Sequence, residues 1–107
     1  MQEHTKIYLG EFGYSVGCFI PSEISEAKGQ VIHHIHRRGM GGDPEMDRIE
    51  NLMCLTDAEH EEYGDKVEFK AMLYRIHKAR MIAAGVKFDR EWIDAQIEKY
   101  SLHEIIY

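Results

Sequence analysis

A cluster of histidines lies in the stretch QVIHHIHRRGMGG, residues 30–42, where His33, His34 and His36 fall within four positions. The chain has seven histidines, so nearly half of them stand in this stretch. A neutral imidazole, with an ordinary pKa of about 6.5, can bind a transition metal or accept a proton near neutral pH. The cluster therefore indicates a site for metal binding or for general acid–base chemistry.

Two further polar residues follow the cluster where new elements are expected to begin. Asn51 lies 17 residues after His34 and opens an apolar run, and His60 follows nine residues later in the first turn of a predicted helix. Adjacent residues of a strand face opposite sides. One of His33 and His34 can therefore bind a metal together with His60 while the other faces a substrate. The pattern predicts a strand–loop–strand–helix unit that holds a metal between strand and helix.

The strands that position these residues are predicted from composition. Residues 30–36 are rich in β-branched side chains and predict a strand, and residues 51–55 form a second short apolar run. The glycine-rich stretch between them is typical of a loop. We expect the two strands to pair as an antiparallel ribbon. Residues 5–20 are aromatic, β-branched and interrupted by glycines, which favours short strands with turns there as well.

Capping residues mark the start of the first helix after the ribbon. Thr56 and Glu59 match the capping box, in which a Thr side chain and a Glu side chain each accept a hydrogen bond from a backbone N–H at the helix start. Gly64 interrupts this helix, and Asp65 is a candidate N-cap for the next one.

Two longer helices are predicted in the C-terminal half. Apolar residues recur every three or four positions over 66–84, and Gly85 stands at the expected C-terminal end. Asp89 is expected to cap a last helix over about 90–100. His77 is expected on the surface of the first of these helices. The final residues, 101–107, are apolar and indicate packing or pairing with another chain.

Composition limits the class of protein. A chain of 107 residues is long enough for one domain, and 44% hydrophobic residues exclude a disordered chain. The net charge of −6 argues against a general nucleic-acid coat but not against a local basic patch. The sequence has no apolar signal core and no run long enough to span a membrane, so a cytoplasmic location is expected. Cys18 and Cys54 form no C-x-x-C pair, which argues against a thiolate zinc site.

The segments HHIHRRGMGG, ENLMCL and HEEYGDK together resemble the HNH endonucleases of the ββα-metal (His-Me finger) class, most closely small phage-type members. The resemblance covers about residues 13–66. It implies an α+β fold with a ββα-metal finger core, that is an antiparallel hairpin plus a helix. One nuclease domain would occupy residues 1–107, with the core at about 13–66 and a helical extension at about 66–107.

The resemblance also implies roles for individual residues. His34 resembles the general base that activates water. His33 and His60 resemble ligands of one divalent ion, either Mg²⁺, Mn²⁺, Ni²⁺ or Zn²⁺. Asn51 resembles a catalytic-site residue that either ligates the metal or holds the base strand in place. The implied activity is hydrolysis of DNA phosphodiester bonds in a host cytoplasm, with a phage or host protein as a further partner.

Two other functions remain open at the level of sequence. A non-catalytic DNA-binding or partner-binding module could keep the same fold, and the acidic charge favours that alternative. A toxin-like nuclease that requires an inhibitor is the other. For DNA contact, Arg37 and Arg38 beside the base are candidates for binding phosphate, and His36 is a weaker candidate because a solvated surface position suits it equally well.

The resemblance has one systematic departure. Relatives commonly carry a structural zinc on two C-x-x-C pairs, and the four corresponding positions hold Ser22, Ser25, Thr56 and Glu59. Neutral hydroxyls are poor zinc ligands, so no structural zinc is expected, and packing must supply the missing stability. Many relatives also carry a third histidine where this chain has Gly64.

Overall fold

The computed structural model describes residues 1–104 and combines a two-stranded antiparallel sheet with four α-helices, which is compatible with the predicted α+β class. The strands are β1, Val31–His34, and β2, Leu52–Leu55. The helices are α1, Glu3–Phe12; α2, Asp57–Glu59; α3, Lys70–Ala84; and α4, Arg90–Ser101. The prediction for residues 101–107 falls partly on 105–107, which lie outside the described part. Within that part, no helix is both long and apolar enough to cross a membrane.

The predicted ribbon is confirmed. β1 and β2 pair antiparallel, with His33 opposite Met53 and His34 opposite Leu52. All four residues of β2 are buried, whereas in β1 only His33 is. β2 therefore lies in the core, and the end of β1 carries the two adjacent histidines at the edge of that core.

The capping box at the start of α2 is also confirmed. Thr56 Oγ1 accepts from the Glu59 amide at 3.1 Å, and Glu59 Oε1 accepts from the Thr56 amide at 2.9 Å. Ser22 donates its hydroxyl to the same Glu59 oxygen at 2.5 Å, and Ser25 adds a further side-chain hydrogen bond. We call these four residues the Glu59 cluster. The positions expected to lack zinc ligands thus form a hydrogen-bonded group that joins residues 22–25 to α2.

The chain between α2 and α3 differs from the prediction. It continues from α2 as a π-helical turn, His60–Gly64, and then forms a 3₁₀ turn, Val67–Phe69, before α3 begins at Lys70. Asp65 is not an N-cap, because the residue before the 3₁₀ turn is Lys66 and no side chain caps it. Gly64, the last residue of the π-helical turn, is buried.

The predicted ends of the two long helices agree with the structure. Gly85 ends α3 in the left-handed region, with φ of 71°, a conformation that glycine adopts without steric cost. Asp89 caps α4 by accepting a hydrogen bond from the Trp92 amide at 3.1 Å.

The prediction of strands in residues 5–20 is wrong, because α1 occupies much of that stretch. Tyr8 is 1% exposed, and its ring stacks on Phe12 at 4.6 Å, which is the i, i+4 spacing of neighbouring side chains on one helix face. Gly13 then ends the helix with φ of 75°. Aromatic and β-branched composition suggested strands, but the four-residue spacing of the aromatic rings decides the structure.

His77 is not on the surface, contrary to expectation, but fully buried. Its Nδ1 lies 2.8 Å from Glu23 Oε1, and its Nε2 lies 2.6 Å from the carbonyl oxygen of Ile49. Tyr8 donates its hydroxyl to the other Glu23 oxygen at 2.6 Å. A carbonyl oxygen only accepts, so His77 donates its hydrogen bond to Ile49 from Nε2. This buried network ties α1, residue 23 and α3 together.

Replacement of Glu59 by glutamine tests the Glu59 cluster. Burial acts to raise the pKa of the Glu59 carboxyl, but the hydrogen bonds from Ser22, Ser25 and Thr56 together outweigh it and lower the pKa below the ordinary glutamate value. A lowered carboxyl pKa stabilises the fold above the unfolded-state pKa, and that stabilisation disappears as the pH falls through the folded-state pKa. Glutamine preserves the capping pattern but removes the charge.

We therefore expect Glu59→Gln to lower the free energy of unfolding by about 1 kcal/mol at pH 7, and the difference from wild type to shrink in acid. Urea unfolding at several pH values measures both. Glu61→Gln is the matched control, because Glu61 is exposed two residues along the chain. A destabilisation that is the same at all pH values would show that the Glu59 charge is not what the cluster stabilises.

Candidate active site

A cleft of about 460 Å³ opens where β1 ends. Five of the seven residues predicted for the site line it, together with other residues from the same elements. The lining consists of Ile32, His33, His34, Arg37, Arg38, Gly39, Met40, His60 and Asp65. Asn51 and His36, the other two predicted residues, do not line it.

His33 and His60 lie side by side in this cleft. Their ring centroids are 4.8 Å apart in an edge-to-face arrangement, and His33 is only 4% exposed. Burial, reinforced by the nearby His60, lowers the pKa of His33 to about 4, although a hydrogen bond to the Gly64 backbone opposes the change. His33 is therefore neutral at pH 7. Its Nε2 is buried and has no hydrogen-bond partner within residues 1–104.

An unpartnered buried nitrogen beside a second imidazole suits a metal ligand pair. A buried polar atom without a partner destabilises the fold, and a divalent ion would satisfy it. Two imidazoles are also donors that transition ions prefer. The residues present therefore fit the metal that the sequence predicted at His33 and His60.

Gly64 forms the wall behind these two rings. A Cβ built on Gly64 would lie 3.0 Å from His60 Cδ2 and 3.1 Å from His33 Cε1, which is closer than side chains normally approach. No third histidine can therefore occupy this position without displacing the other two. Because residue 64 has no side chain, the rings of His33 and His60 can both pack against its backbone.

His34 faces a different set of residues. Its Nε2 lies 2.6 Å from Asp47 Oδ1, and Arg38 Nε lies 3.3 Å from the same oxygen. The His4 ring, from α1, lies against the His34 ring with centroids 4.5 Å apart. Burial and the neighbouring His34 lower the pKa of His4.

His4, His34 and Asp47 form a group that could hold a metal ion, since each offers one ligand atom and these atoms lie within 4.8 Å of one another. Neither His4 nor Asp47 is among the site residues predicted from the sequence. His4 lies just before residues 5–20, for which strands are predicted, and Asp47 belongs to the long loop. The packing of α1 against β1 brings His4 to His34, and the path of the loop brings Asp47 there; no local sequence signal predicts either contact.

Asn51 is fully buried, and its side-chain amide makes four hydrogen bonds. Its Oδ1 accepts from the His36 amide at 2.8 Å and from the Tyr74 hydroxyl at 2.7 Å. Its Nδ2 donates to the carbonyl oxygens of His36 at 2.9 Å and Met46 at 3.0 Å. These contacts correspond to the second role suggested for Asn51, that of holding the base strand in place, and its catalytic importance stays a prediction.

His36 also interacts with the protein rather than with the cleft. Its Nδ1 lies 2.6 Å from the Tyr100 hydroxyl of α4. Beside it, Lys70 of α3 donates to the Ile35 carbonyl oxygen at 2.5 Å. Helices α3 and α4 thus fix the residues that follow β1, and the proposed contact of His36 with nucleic acid stays a prediction.

Arg37 and Arg38 occupy the mouth of the cleft. The Arg37 side chain is 70% exposed and donates from Nε to Asp65 at 3.2 Å. That hydrogen bond lowers the pKa of Asp65. Arg38 is less exposed and also donates to the Gly42 carbonyl oxygen at 3.4 Å. Both guanidinium groups are positioned where they can meet an anion that enters the cleft.

Comparison with known proteins found no relative: no family model matches the chain, and neither curated proteins nor solved structures yielded a match.

Substitution of Gly64 tests whether the two histidines form a ligand pair. An added methyl group must displace His33 or His60, so Gly64→Ala should weaken Mn²⁺ binding by about 10- to 100-fold, the usual effect of disturbing residues that orient metal ligands. Isothermal titration calorimetry measures the affinity, and thermal melting by circular dichroism verifies folding.

Gly10→Ala serves as the matched control for this substitution. A Cβ on Gly10 of α1 meets no atom of the described chain within 4 Å, and alanine favours the helix by about 0.5–1 kcal/mol. Its Mn²⁺ affinity should equal that of wild type. Equal affinity in a folded Gly64→Ala variant would contradict the proposed ligand pair.

Proposed function

We propose that this domain is a metal-dependent endonuclease of the HNH, ββα-metal type that hydrolyses phosphodiester bonds in DNA. The observation that carries the proposal is the convergence of His33, His34 and His60 on one cleft whose mouth holds Arg37 and Arg38. A hydrolytic site for phosphodiesters requires a base, a cation at the phosphate and room for the substrate. This cleft offers candidates for each.

The metal ligands in this proposal are His33 and His60. The buried, unpartnered Nε2 of His33 supports the assignment. A divalent ion held there would neutralise charge on the phosphate and stabilise the departing oxygen. Because two imidazoles are better suited to Mn²⁺, Ni²⁺ or Zn²⁺ than to Mg²⁺, we expect the transition ions to bind more tightly.

His34 acts as the general base in the proposed reaction. In the tautomer with its proton on Nε2, His34 donates a hydrogen bond to Asp47 Oδ1 at 2.6 Å, which leaves the lone pair on Nδ1. A neutral imidazole oriented in this way can take a proton from water near neutral pH. Asp47 is thus a positioning residue, since it holds the tautomer and orientation of the His34 ring.

Arg37 and Arg38 supply the attraction for phosphate. The chain carries a net charge of −6, so a polyanion is repelled by most of the surface and local cations must direct it to the cleft. Arg37 is largely exposed and can turn from Asp65 toward a phosphate. Contacts of this kind position the nucleic acid but do not read its sequence.

The alternative is a non-catalytic module that binds DNA or a protein partner with the same fold. The net negative charge and the pairing of Arg37 with Asp65 favour it. A plasmid-nicking assay with EDTA, Mg²⁺, Mn²⁺ or Ni²⁺ distinguishes the two. Nicking that requires a divalent ion supports the nuclease, whereas DNA binding without cleavage in every metal supports the module.

Single histidine variants separate the base from the ligands. His34→Ala should lower the nicking rate by about 10²- to 10⁴-fold while Mn²⁺ still binds, because His33 and His60 are retained. His60→Ala should weaken Mn²⁺ binding itself. Calorimetry and nicking rates are measured on the same preparations, with the exposed His103→Ala as control. Loss of Mn²⁺ binding in His34→Ala would mean that His34 is a ligand and not the base.

The role of the two arginines is tested by charge reversal. Each phosphate contact contributes about −0.9 to the slope of log affinity against log salt for duplex DNA. The double change Arg37→Glu, Arg38→Glu should therefore weaken binding and reduce the slope by up to about 2. The control is Lys87→Glu, Arg90→Glu, which makes the same charge change at two exposed positions. Fluorescence anisotropy in EDTA avoids cleavage. Equal slopes in both double variants would assign Arg37 and Arg38 to the solvated surface.

A further inference from the structure

A second group of metal-binding side chains lies beside the first and shares none of its members. His4 comes from α1, His34 from the end of β1, and Asp47 from the loop before β2. All three are half-buried, with the side chains of His34 and Asp47 17% and 11% exposed. Such a group is more confined than a chance cluster on an open surface.

The spacing of the three ligand atoms is close to what an ion requires. They lie within 4.8 Å of one another. A tetrahedral ion with bonds of about 2.1 Å needs ligand atoms about 3.4 Å apart. The 2.6 Å hydrogen bond between His34 and Asp47 must lengthen slightly, and His4 must approach. Both are side-chain movements that leave the backbone in place.

Charge and ligand type indicate which ions would bind. Two imidazoles and one carboxylate are the donor set of many tetrahedral zinc sites, with the fourth position left to water. The guanidinium of Arg38 already pairs with Asp47 at 3.3 Å, so a weakly held cation such as Mg²⁺ would not displace it. Zn²⁺, which forms strong bonds to imidazole nitrogen, can displace the guanidinium.

We propose that His4, His34 and Asp47 form a second cation site that takes Zn²⁺ and inhibits the nuclease. The inhibitory part rests on the proposed function, in which His34 is the base. An ion bound to Nε2 of a neutral His34 requires the ring proton to be on Nδ1. The lone pair that would accept a proton from water is then gone, and Asp47 no longer holds the productive tautomer.

The site itself is tested by binding, without any measurement of activity. The double variant His33→Ala, His60→Ala removes the first ligand pair, so any remaining tight binding belongs to the second site. We expect this variant to bind one equivalent of Zn²⁺ by calorimetry. Adding His4→Phe, which keeps an aromatic ring against His34 but offers no ligand, should weaken the affinity by at least about 10-fold. Circular dichroism melting establishes that each variant is folded.

Two outcomes of the binding experiment would contradict the proposed Zn²⁺ site. One is that the folded double variant binds no Zn²⁺. The other is that His4→Phe leaves its Zn²⁺ affinity unchanged. Asp47→Asn in the same background is a second means of weakening the site, and an unchanged affinity there counts equally against it.

The inhibitory role is tested by nicking rates in Mn²⁺ with increasing Zn²⁺. Each rate is divided by that of the same variant without Zn²⁺. The Zn²⁺ concentration that halves the rate should rise by at least about 10-fold in His4→Phe relative to wild type. Equal values would show that Zn²⁺ acts at His33 and His60, which overturns the inhibition. If no metal supports nicking, the proposed nuclease function fails, while the binding experiment still decides whether the second site exists.

Discussion

The side-chain amide of Asn51 is the interaction on which the arrangement of the cleft depends. Asn51 lies immediately before β2 and is fully buried, and its side-chain oxygen and nitrogen each have two hydrogen-bond partners, which come from three parts of the chain. An amide can satisfy a donor and an acceptor of one backbone residue at once, as it does for His36. The backbone of His36, just beyond β1, is therefore fixed by two hydrogen bonds, like a residue paired in a sheet. A buried amide that lost its partners would destabilise the fold by about 1–3 kcal/mol per unsatisfied group.

The residues after β1 are held by the C-terminal helices as well as by β2. Lys70 of α3 bonds the Ile35 carbonyl, Tyr74 of α3 bonds Asn51, and Tyr100 of α4 bonds His36. The site histidines consequently stand on a strand end that is fixed from two sides. The glycine-rich loop that follows β1 contributes Arg38, which lines the cleft, and Asp47, which contacts the His34 ring.

The parts of the fold that sequence predicts well are those fixed by short-range chemistry. The Thr56 capping box, the Asp89 cap and the Gly85 end of α3 depend on residues within a few positions of one another, and all three are confirmed. The pairing of β1 with β2 could also be predicted, because the two strands lie on either side of one loop. The prediction of strands over residues 5–20 is wrong because composition favours strands there, whereas the four-residue spacing of Tyr8 and Phe12 fits a helix. The neighbours of His34 and the burial of His77 could not be predicted, since each arises from contacts between distant segments.

Hydrogen bonds between residues that are distant in sequence also determine when the chain can complete its fold. Glu23 and His77 are 54 residues apart in sequence, and His36 and Tyr100 are 64 apart. Contacts between such distant residues form only after the intervening chain has closed a large loop, which slows folding. A ribosome that has released the histidine strand but not yet α4 therefore holds a chain in which the cleft has no fixed walls. Because synthesis proceeds at about 5–20 residues per second, this interval lasts several seconds, and the cleft reaches its final shape only after α4 has been synthesised.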